Sequence, residues 1–285
     1  MRALPYLARE RSRTRPDSPL LVRLKQLVRL SLPPRVTAAA LRLLKPGIRF
    51  TGPYSSWETA SAGSSGYSSQ AILDCAVQQA TGPTGTVQAP GERLRHSWPV
   101  LAGLLHAAAA DGRLSVLDFG GGLGASYFSL RGFLGPRALR WSVVEQPHFV
   151  QQGFQLFHDE TLRFYASPDE AVADDPPNVL LLSGVLQYLP APIAQLERLL
   201  ALGIPRIIVD RTLLLEGEED VIAVQRLPAS LGGIRLPCWF FACDRFAARF
   251  AGYQLLAAFD STFDAGLSLG RRPASARGFI FEKTR

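Results

Sequence analysis

The chain has 285 residues, 47% of them hydrophobic, which is enough for one large domain with an extension. Its three cysteines form no CxxC pair, which argues against a disulfide scaffold or a structural zinc site. The chain has 31 basic residues (Lys and Arg) and 24 acidic ones (Asp and Glu). Residues 1–50 contain 12 of the basic and 2 of the acidic residues, so residues 51–285 contain 19 basic and 22 acidic ones. The basic character therefore belongs to the N-terminal part, and nucleic-acid binding by the body of the protein is not expected.

Residues 1–49 are predicted to be a basic arm with one amphipathic helix. SPLLVRLKQLVRLSLPP has leucines at helical spacing and ends in two prolines. Two interpretations stay open: the helix contacts an anionic membrane surface, or it packs on its own domain or on a partner. No segment is long enough to span a bilayer, and the start lacks the apolar core of a secretory signal. We therefore expect a cytoplasmic protein, with peripheral contact at the inner membrane if the first interpretation holds.

Residues 50–112 are predicted to form a helical cap or lid. FTGPYSSWETASAGSSG is rich in small polar residues and is expected to be a loop. Tyr54, Trp57 and Tyr67 either form a lid over a ligand or pack on a sheet. Helices are expected over YSSQAILDCAVQQA and over residues 96–110.

Residues 113–285 alternate β-rich apolar runs with helical stretches, which predicts a mainly parallel sheet covered on both faces. VIAVQRLP is a strand or an extended segment, and DRFAARFAG is a helix. YQLLAAFD and ARGFIFEK are expected to be two late strands that form an antiparallel hairpin. The earlier predicted strands are 114–119, 139–145, 162–166, 178–183 and 206–210.

The stretch LSVLDFGGGLGA puts four glycines directly after the first of these strands. A glycine turn lets a ligand approach bare backbone, and the free N–H groups of the helix that follows favour polar or anionic atoms. Ligands of open α/β sheets bind at the carboxyl ends of the strands. The predicted cofactor-binding residues are therefore Asp118, Gly120, Gly121, Gly122, Gly124, Glu145, Gln146 and Ser183.

Two nucleoside ligands compete for this pattern. Gly120, Gly122 and Ala125 match the dinucleotide fingerprint, whereas Asp118 with Gly120, Gly122 and Gly124 fully matches the acidic-x-GxGxG pattern of methyltransferases. A carboxylate pointing into the site would sit poorly beside a pyrophosphate, but it suits the ammonium and sulfonium of S-adenosylmethionine. Glu145 ends the second predicted strand, and its carboxylate would accept hydrogen bonds from the ribose hydroxyls of either ligand.

From LSVLDFGGGLG onward the chain resembles class I S-adenosylmethionine-dependent methyltransferases. As a set, FTGPYSSWETASAGSSGY, VLDFGGGLG, LLLSGVLQYLP, IIVDRT and VQRLP are similar to a bacterial methyltransferase family linked to surface-polysaccharide gene clusters. The resemblance implies a Rossmann-like α/β fold with a seven-stranded, mostly parallel sheet, helices on both faces and an antiparallel last strand, here with a helical N-terminal extension. It also implies S-adenosylmethionine as cofactor and O-methylation of a small-molecule or saccharide acceptor in polysaccharide biosynthesis.

The candidate catalytic residues Tyr188, Asp210 and Arg211 follow the fourth and fifth predicted strands. Tyr188 faces the transferred methyl group or the acceptor, or packs in the core. Asp210 acts as a base for a hydroxyl, or Arg211 binds an anionic acceptor, or the two form a structural ion pair. The histidines lack metal-ligand spacing, so no metal site is expected. Two other functions stay open: an NAD(P)-dependent oxidoreductase and a catalytically silent, methyltransferase-like binding module.

Overall fold

The computed structural model describes residues 48–67, 70–81, 94–135, 139–228, 233–261 and 267–284. The predicted basic arm therefore lies outside the described residues, except for its last two positions. Among the helices of the described ranges, none combines the length and the apolar character needed to cross a membrane.

Five parallel strands form the centre of the molecule, in the order β4-β3-β2-β5-β6. They are β2 (Leu114–Phe119), β3 (Leu139–Val144), β4 (Leu162–Tyr165), β5 (Val179–Ser183) and β6 (Arg206–Leu215). β2 and β5 are buried along almost their whole length, as expected for parallel strands covered on both faces.

Two late strands complete this sheet. β11 (Arg272–Lys283) pairs antiparallel with β6, and β9 (Tyr253–Asp260) pairs antiparallel with β11. β9 is therefore parallel to β6, and only β11 runs against the other six strands. The prediction of a Rossmann-like sheet of seven strands with an antiparallel last strand is confirmed. β10 (Ser268–Leu269) adds a short hairpin to β11.

Helices cover both faces of the seven-stranded sheet. One core cluster joins α3 and α4 to side chains such as Trp141 and Leu181. Another joins α6, α7 and α8 to the alternate strand positions, such as Leu180 and Phe281. The helices are α1 (Trp57–Ser61), α2 (Gln70–Thr81), α3 (Leu94–Asp111), α4 (Ala125–Leu134), α5 (Pro147–Phe157), α6 (Pro168–Asp174), α7 (Pro192–Ala201) and α8 (Cys243–Phe246).

A second group of strands, called here the accessory sheet, extends from the end of β6. It consists of β1 (Arg49–Tyr54), β7 (Val221–Arg226) and β8 (Arg235–Ala242). The end of β8 pairs parallel with Leu214 and Leu215 of β6, β7 pairs antiparallel with β8, and β1 pairs antiparallel with β7.

The accessory sheet corrects three predictions. A loop was expected where β1 lies, no strand was expected at β8, and β6 was expected to end at residue 210. Gly52 and Pro53 disfavour a strand locally, and pairing with β7 overrides them through a register shift between Thr51 and Tyr54. Tertiary pairing, rather than local propensity, therefore forms these strands.

β6 passes from the parallel sheet to the accessory sheet through a bulge. Arg211 has a φ of 55°, in the left-handed region that non-glycine residues seldom occupy. The pairing of β11 with β6 also shifts register here, because Arg277 faces Thr212 whereas Phe279 faces Val209. The bulge therefore marks the boundary between the two sheets.

Candidate active site

A cavity of about 640 Å³ lies at the carboxyl ends of the parallel strands. Its wall combines the segments that follow β2, β3, β4 and β5 with the segment around α1 and with β8 of the accessory sheet. Gly120, Glu145, Gln146 and Tyr188 lie in this wall, so the structure brings four of the predicted residues together. The position agrees with the general rule for open α/β sheets.

The glycine turn after β2 is packed too closely for larger residues. Gly120 has a φ of 73°, and a Cβ on it would lie 2.2 Å from Cγ2 of Val185. A Cβ on Gly121 would lie 2.6 Å from the carboxyl carbon of Asp118. The turn therefore needs glycine at both positions, in one case for the backbone angle and in both for space.

Asp118 does not point into the cavity, which corrects the expectation from the sequence. Its side chain is 1% exposed, lies against Gly121 and accepts a hydrogen bond from Nε1 of Trp141 at 3.0 Å. Burial, together with the charge of Glu145, raises the pKa of Asp118 to about 7, although the hydrogen bond from Trp141 opposes the shift. Asp118 therefore supports the glycine turn from beneath, and its carboxylate does not distinguish S-adenosylmethionine from a dinucleotide.

Glu145 presents its carboxylate at the end of β3. Oε1 accepts a hydrogen bond from the backbone N–H of Gly122 at 3.3 Å, and Oε2 accepts one from Gln146 at 2.8 Å. The residue is 8% exposed, and burial raises the pKa of Glu145 against the effect of these two bonds. Each carboxylate oxygen keeps lone pairs for a further donor, so a vicinal diol could bind here through two hydrogen bonds.

Aromatic rings form another part of the wall. Tyr67 stacks against Phe149 and Tyr188, with ring centroids 6.2 and 5.9 Å apart, and Trp57 stacks on Trp239 at 6.2 Å. Tyr67 and Trp57 line the cavity and Trp57 also packs on β8, whereas Tyr54 lies on β1 and is not among the lining residues, so the lid stays a prediction. Burial, with the charge of Glu145, raises the pKa of Tyr67, so its phenol stays protonated and can donate a hydrogen bond.

The other predicted residues lie close to the site but not in the cavity wall. Oγ of Ser183 donates to Oδ2 of Asp210 at 3.3 Å, and these two residues are register partners in β5 and β6. Asp210 is 4% exposed, and neither it nor Arg211 lines the cavity. The structure therefore does not support Asp210 as a base that contacts the acceptor, because its carboxylate is buried beside Ser183 of the neighbouring strand.

Tyr188 lies in the wall, but its hydroxyl is engaged. It donates to Oε1 of Gln225 on β7 at 2.6 Å. The neighbouring Gln187 donates from Nε2 to the backbone oxygen of Arg211 at 3.0 Å. These two hydrogen bonds connect the segment after β5 to the accessory sheet and to the bulge in β6. Tyr188 therefore has a structural role in the cavity wall, with its hydroxyl bonded to Gln225.

Sequence reasoning missed two parts of the wall. Ala166 and Pro168 follow β4, and the strand-end rule applied to the third predicted strand would have found them. Leu236 and Pro237 come from β8, which no local pattern indicated. They reach the site only because the accessory sheet folds beside it.

No protein-family model and no curated protein matches the sequence. Among solved structures, the N1-methyltransferase of 1,6-didemethyltoxoflavin from Burkholderia thailandensis is 17% identical, with 82% of this chain and 93% of that chain covered and a TM-score of 0.41. An amino pentose methyltransferase from Micromonospora echinaspora is 14% identical, with 68% and 92% covered and a TM-score of 0.42. The N-terminal domain of EvdMO1 with S-adenosylhomocysteine and D-fucose is 15% identical, with 75% and 96% covered and a TM-score of 0.45.

Proposed function

We propose that the protein is an S-adenosylmethionine-dependent methyltransferase that acts on a hydroxyl group of a small-molecule or saccharide acceptor. The observation that carries the proposal is the sheet order β4-β3-β2-β5-β6-β11-β9 with antiparallel β11 and with the glycine turn directly after β2. This is the seven-stranded arrangement that the sequence resemblance implies. An oxidoreductase of the dinucleotide class would not need the antiparallel strand.

The polar and apolar groups in the wall fit an adenosyl cofactor. Glu145 can accept two hydroxyl hydrogen bonds, as a ribose would offer, and Gly120 exposes its backbone where no side chain could fit. Ala166 and Pro168 supply apolar surface beyond Glu145, on the β4 side. The cofactor, when bound, supplies an activated methyl group on a sulfonium leaving group.

The residues of this chain contribute mainly position and exclusion of water. Tyr67, Tyr188 and Trp57 provide rigid apolar walls on the side of β5 and β8, where an acceptor would lie. Effective molarities from such positioning can lower a barrier by about 7–11 kcal/mol. Because Tyr67 stays protonated and Asp210 lies outside the wall, we expect transfer to a hydroxyl without a dedicated side-chain base.

A direct test is the affinity for S-adenosylhomocysteine of wild-type protein, Glu145→Gln and Glu160→Gln. Glu145→Gln removes the charge from two hydrogen bonds to the ligand and should weaken binding about tenfold or more. Glu160 is exposed and precedes β4, at the opposite end of the strands, so its variant should bind as the wild type does. Calorimetric titration measures all three.

Two results would contradict the proposal. If NADH, and not S-adenosylhomocysteine, raised the melting temperature of the wild-type protein, the protein would be a dinucleotide enzyme. If neither ligand bound, the silent binding module would be the better interpretation. Equal affinity of the two Glu→Gln variants would remove Glu145 from the site.

We also propose that the enzyme works in polysaccharide biosynthesis at the cytoplasmic side of the membrane, with residues 1–47 as a separate arm. The charge of the arm supports this, because basic amphipathic segments bind anionic lipid. β1 starts at Arg49, so the arm can be removed without cutting a strand. Full-length protein should float with anionic liposomes and protein lacking residues 1–47 should not; equal flotation would contradict a membrane role of the arm.

A further inference from the structure

Three arginines form a row across the accessory sheet. Arg49 of β1 is the register partner of Arg226 of β7, and Arg226 is the register partner of Arg235 of β8. Residues directly opposite each other in antiparallel strands project from the same face of a sheet. Neighbouring strands are about 4.8 Å apart, so the three side chains start about 10 Å apart from end to end.

No carboxylate within the described ranges balances this row. Neither a hydrogen bond nor an ion pair involves the side chains of Arg49, Arg226 or Arg235 there, and Nε of Arg235 is buried without a partner. Arg49 and Arg226 are exposed. Like charges directly opposite each other destabilise a sheet, and such breaches of a local rule are expected at functional sites.

The row borders the cavity. Arg235 directly precedes Leu236 and Pro237, which line the cavity, and Pro237 projects from the same face as Arg235. The backbone oxygen of Arg235 also accepts a hydrogen bond from Ser65 at 3.0 Å, next to the lining residues Gly66 and Tyr67. The row of arginines therefore begins, at Arg235, beside the part of the wall that we assign to the acceptor.

The charge of the cavity is opposite to that of the row. Glu145 is the only charged residue in the cavity wall of the described structure. A phosphorylated molecule therefore meets no cation among the lining residues, whereas the row of three arginines begins directly beside them, at Arg235. Guanidinium groups bind phosphate oxygens through paired, charge-assisted hydrogen bonds.

We propose that Arg49, Arg226 and Arg235 bind the phosphate or diphosphate group of a phosphorylated acceptor whose neutral part enters the cavity. The proposal rests on the proposed function, and it narrows the acceptor to phosphate esters, such as a sugar joined to a nucleoside diphosphate. The phosphoryl group takes no part in the reaction. The arginines are positioning residues that hold the acceptor beside the aromatic wall.

The test uses the full chain and inorganic diphosphate as the probe. Diphosphate and S-adenosylhomocysteine are titrated separately into wild-type protein, Arg226→Gln/Arg235→Gln and the charge-matched control Arg140→Gln/Arg198→Gln. Arg140 and Arg198 are exposed, lie on β3 and α7, and do not line the cavity. Both double variants lose two positive charges, so non-specific binding of diphosphate to the basic protein should be equal in the two.

We expect the Arg226→Gln/Arg235→Gln variant to bind diphosphate about tenfold more weakly than the control, with unchanged affinity for S-adenosylhomocysteine. Its melting temperature without ligand should rise, because two of three repelling charges are gone. Equal diphosphate affinity of the two double variants would overturn the proposal. If the double variant did not fold, Arg226→Gln alone against Arg198→Gln decides in the same way.

The proposal and the proposed function can fail separately. Loss of binding in Glu145→Gln for S-adenosylhomocysteine but not for diphosphate supports both. Binding of S-adenosylhomocysteine with no arginine-dependent diphosphate binding overturns the anion site alone. Arginine-dependent binding to phosphatidylglycerol vesicles without diphosphate binding would replace the acceptor by a lipid headgroup and would also overturn it.

Discussion

Asp118 illustrates how one buried group sets the properties of the glycine turn. Its carboxyl lies under Gly121 with Trp141 as donor, in surroundings that disfavour charge. The glycine pattern predicted the turn, and the strand-end rule predicted Glu145. The direction of the Asp118 side chain could not be predicted, because the group that holds it, Trp141, lies 23 residues away on the neighbouring strand.

We predict a pH-dependent stability that Asp118 controls. An unfolded Asp has a pKa of about 3.9, whereas the pKa of Asp118 in the folded protein is raised to about 7. Between these values the folded state keeps a proton that the unfolded state has released. The contribution of Asp118 to the free energy of unfolding is therefore complete below pH 4, falls as the pH rises and levels off above pH 7.

The comparison is with Asp118→Asn, which resembles the protonated carboxyl and can still accept from Trp141. Urea unfolding at pH 5 and pH 8 should show that the wild type loses stability relative to Asp118→Asn as the pH rises. Because the charges of Asp118 and Glu145 act on each other, the comparison measures the titration of Asp118 together with its coupling to Glu145. The same difference in free energy at both pH values would show that Asp118 does not titrate in this range.

Among the single elements, β11 is the strand that joins β9 and β10 to the rest of the sheet. It pairs with β6, β9 and β10, and Gly278 lies where β11 is squeezed between its neighbours. A Cβ on Gly278 would lie 2.1 Å from the Phe259 ring and 2.8 Å from the backbone oxygen of Val209. The backbone oxygen cannot move without breaking the ladder, so the position excludes a side chain.

We therefore expect Gly278→Ala to lower the free energy of unfolding by about 1–3 kcal/mol. Ser275→Ala, on an exposed position of the same strand, should change it by less than about 0.5 kcal/mol. Chemical denaturation measures both variants. Comparable values for the two would mean that the β11 backbone adjusts to a side chain at Gly278.

Elements whose own pattern agrees with the fold could be predicted from the sequence. β2, β3 and β5 are apolar runs buried on both faces, and their predicted bounds lie within one residue of those observed. β1 and β8 could not be predicted. Each contains a proline, and each is a strand because of tertiary pairing: β1 pairs with β7, and β8 pairs with β7 and with the end of β6. The part of the cavity wall that β8 supplies, Leu236 and Pro237, could therefore not be predicted from local sequence.

For the whole molecule, a cluster of ion pairs lies at the end of the parallel strands opposite the cavity. The guanidinium of Arg206, 9% exposed, bonds to Asp111 at 2.7 Å and to Glu282 at 3.0 Å. These contacts join the end of α3, the start of β6 and the end of β11, at the end of the strands away from the cavity.

We predict that Arg206→Leu lowers the free energy of unfolding by about 2 kcal/mol or more, because two carboxylates lose a mostly buried partner. Its affinity for S-adenosylhomocysteine should equal that of the wild type. The control Arg198→Leu, at an exposed position, should leave both quantities unchanged. A weaker affinity in Arg206→Leu at a temperature where it is fully folded would show that the two ends are coupled.

β6 is a single strand that belongs to both sheets, and this limits how the protein could be redesigned. The chain leaves the parallel sheet at Arg211, and β7 and β8 follow in the accessory sheet before α8 begins. Replacing residues 216–242 should alter the part of the cavity wall that Leu236 and Pro237 supply and leave the glycine turn and Glu145 in place, provided that residues 211–215 are retained and that the new segment offers β1 a partner strand.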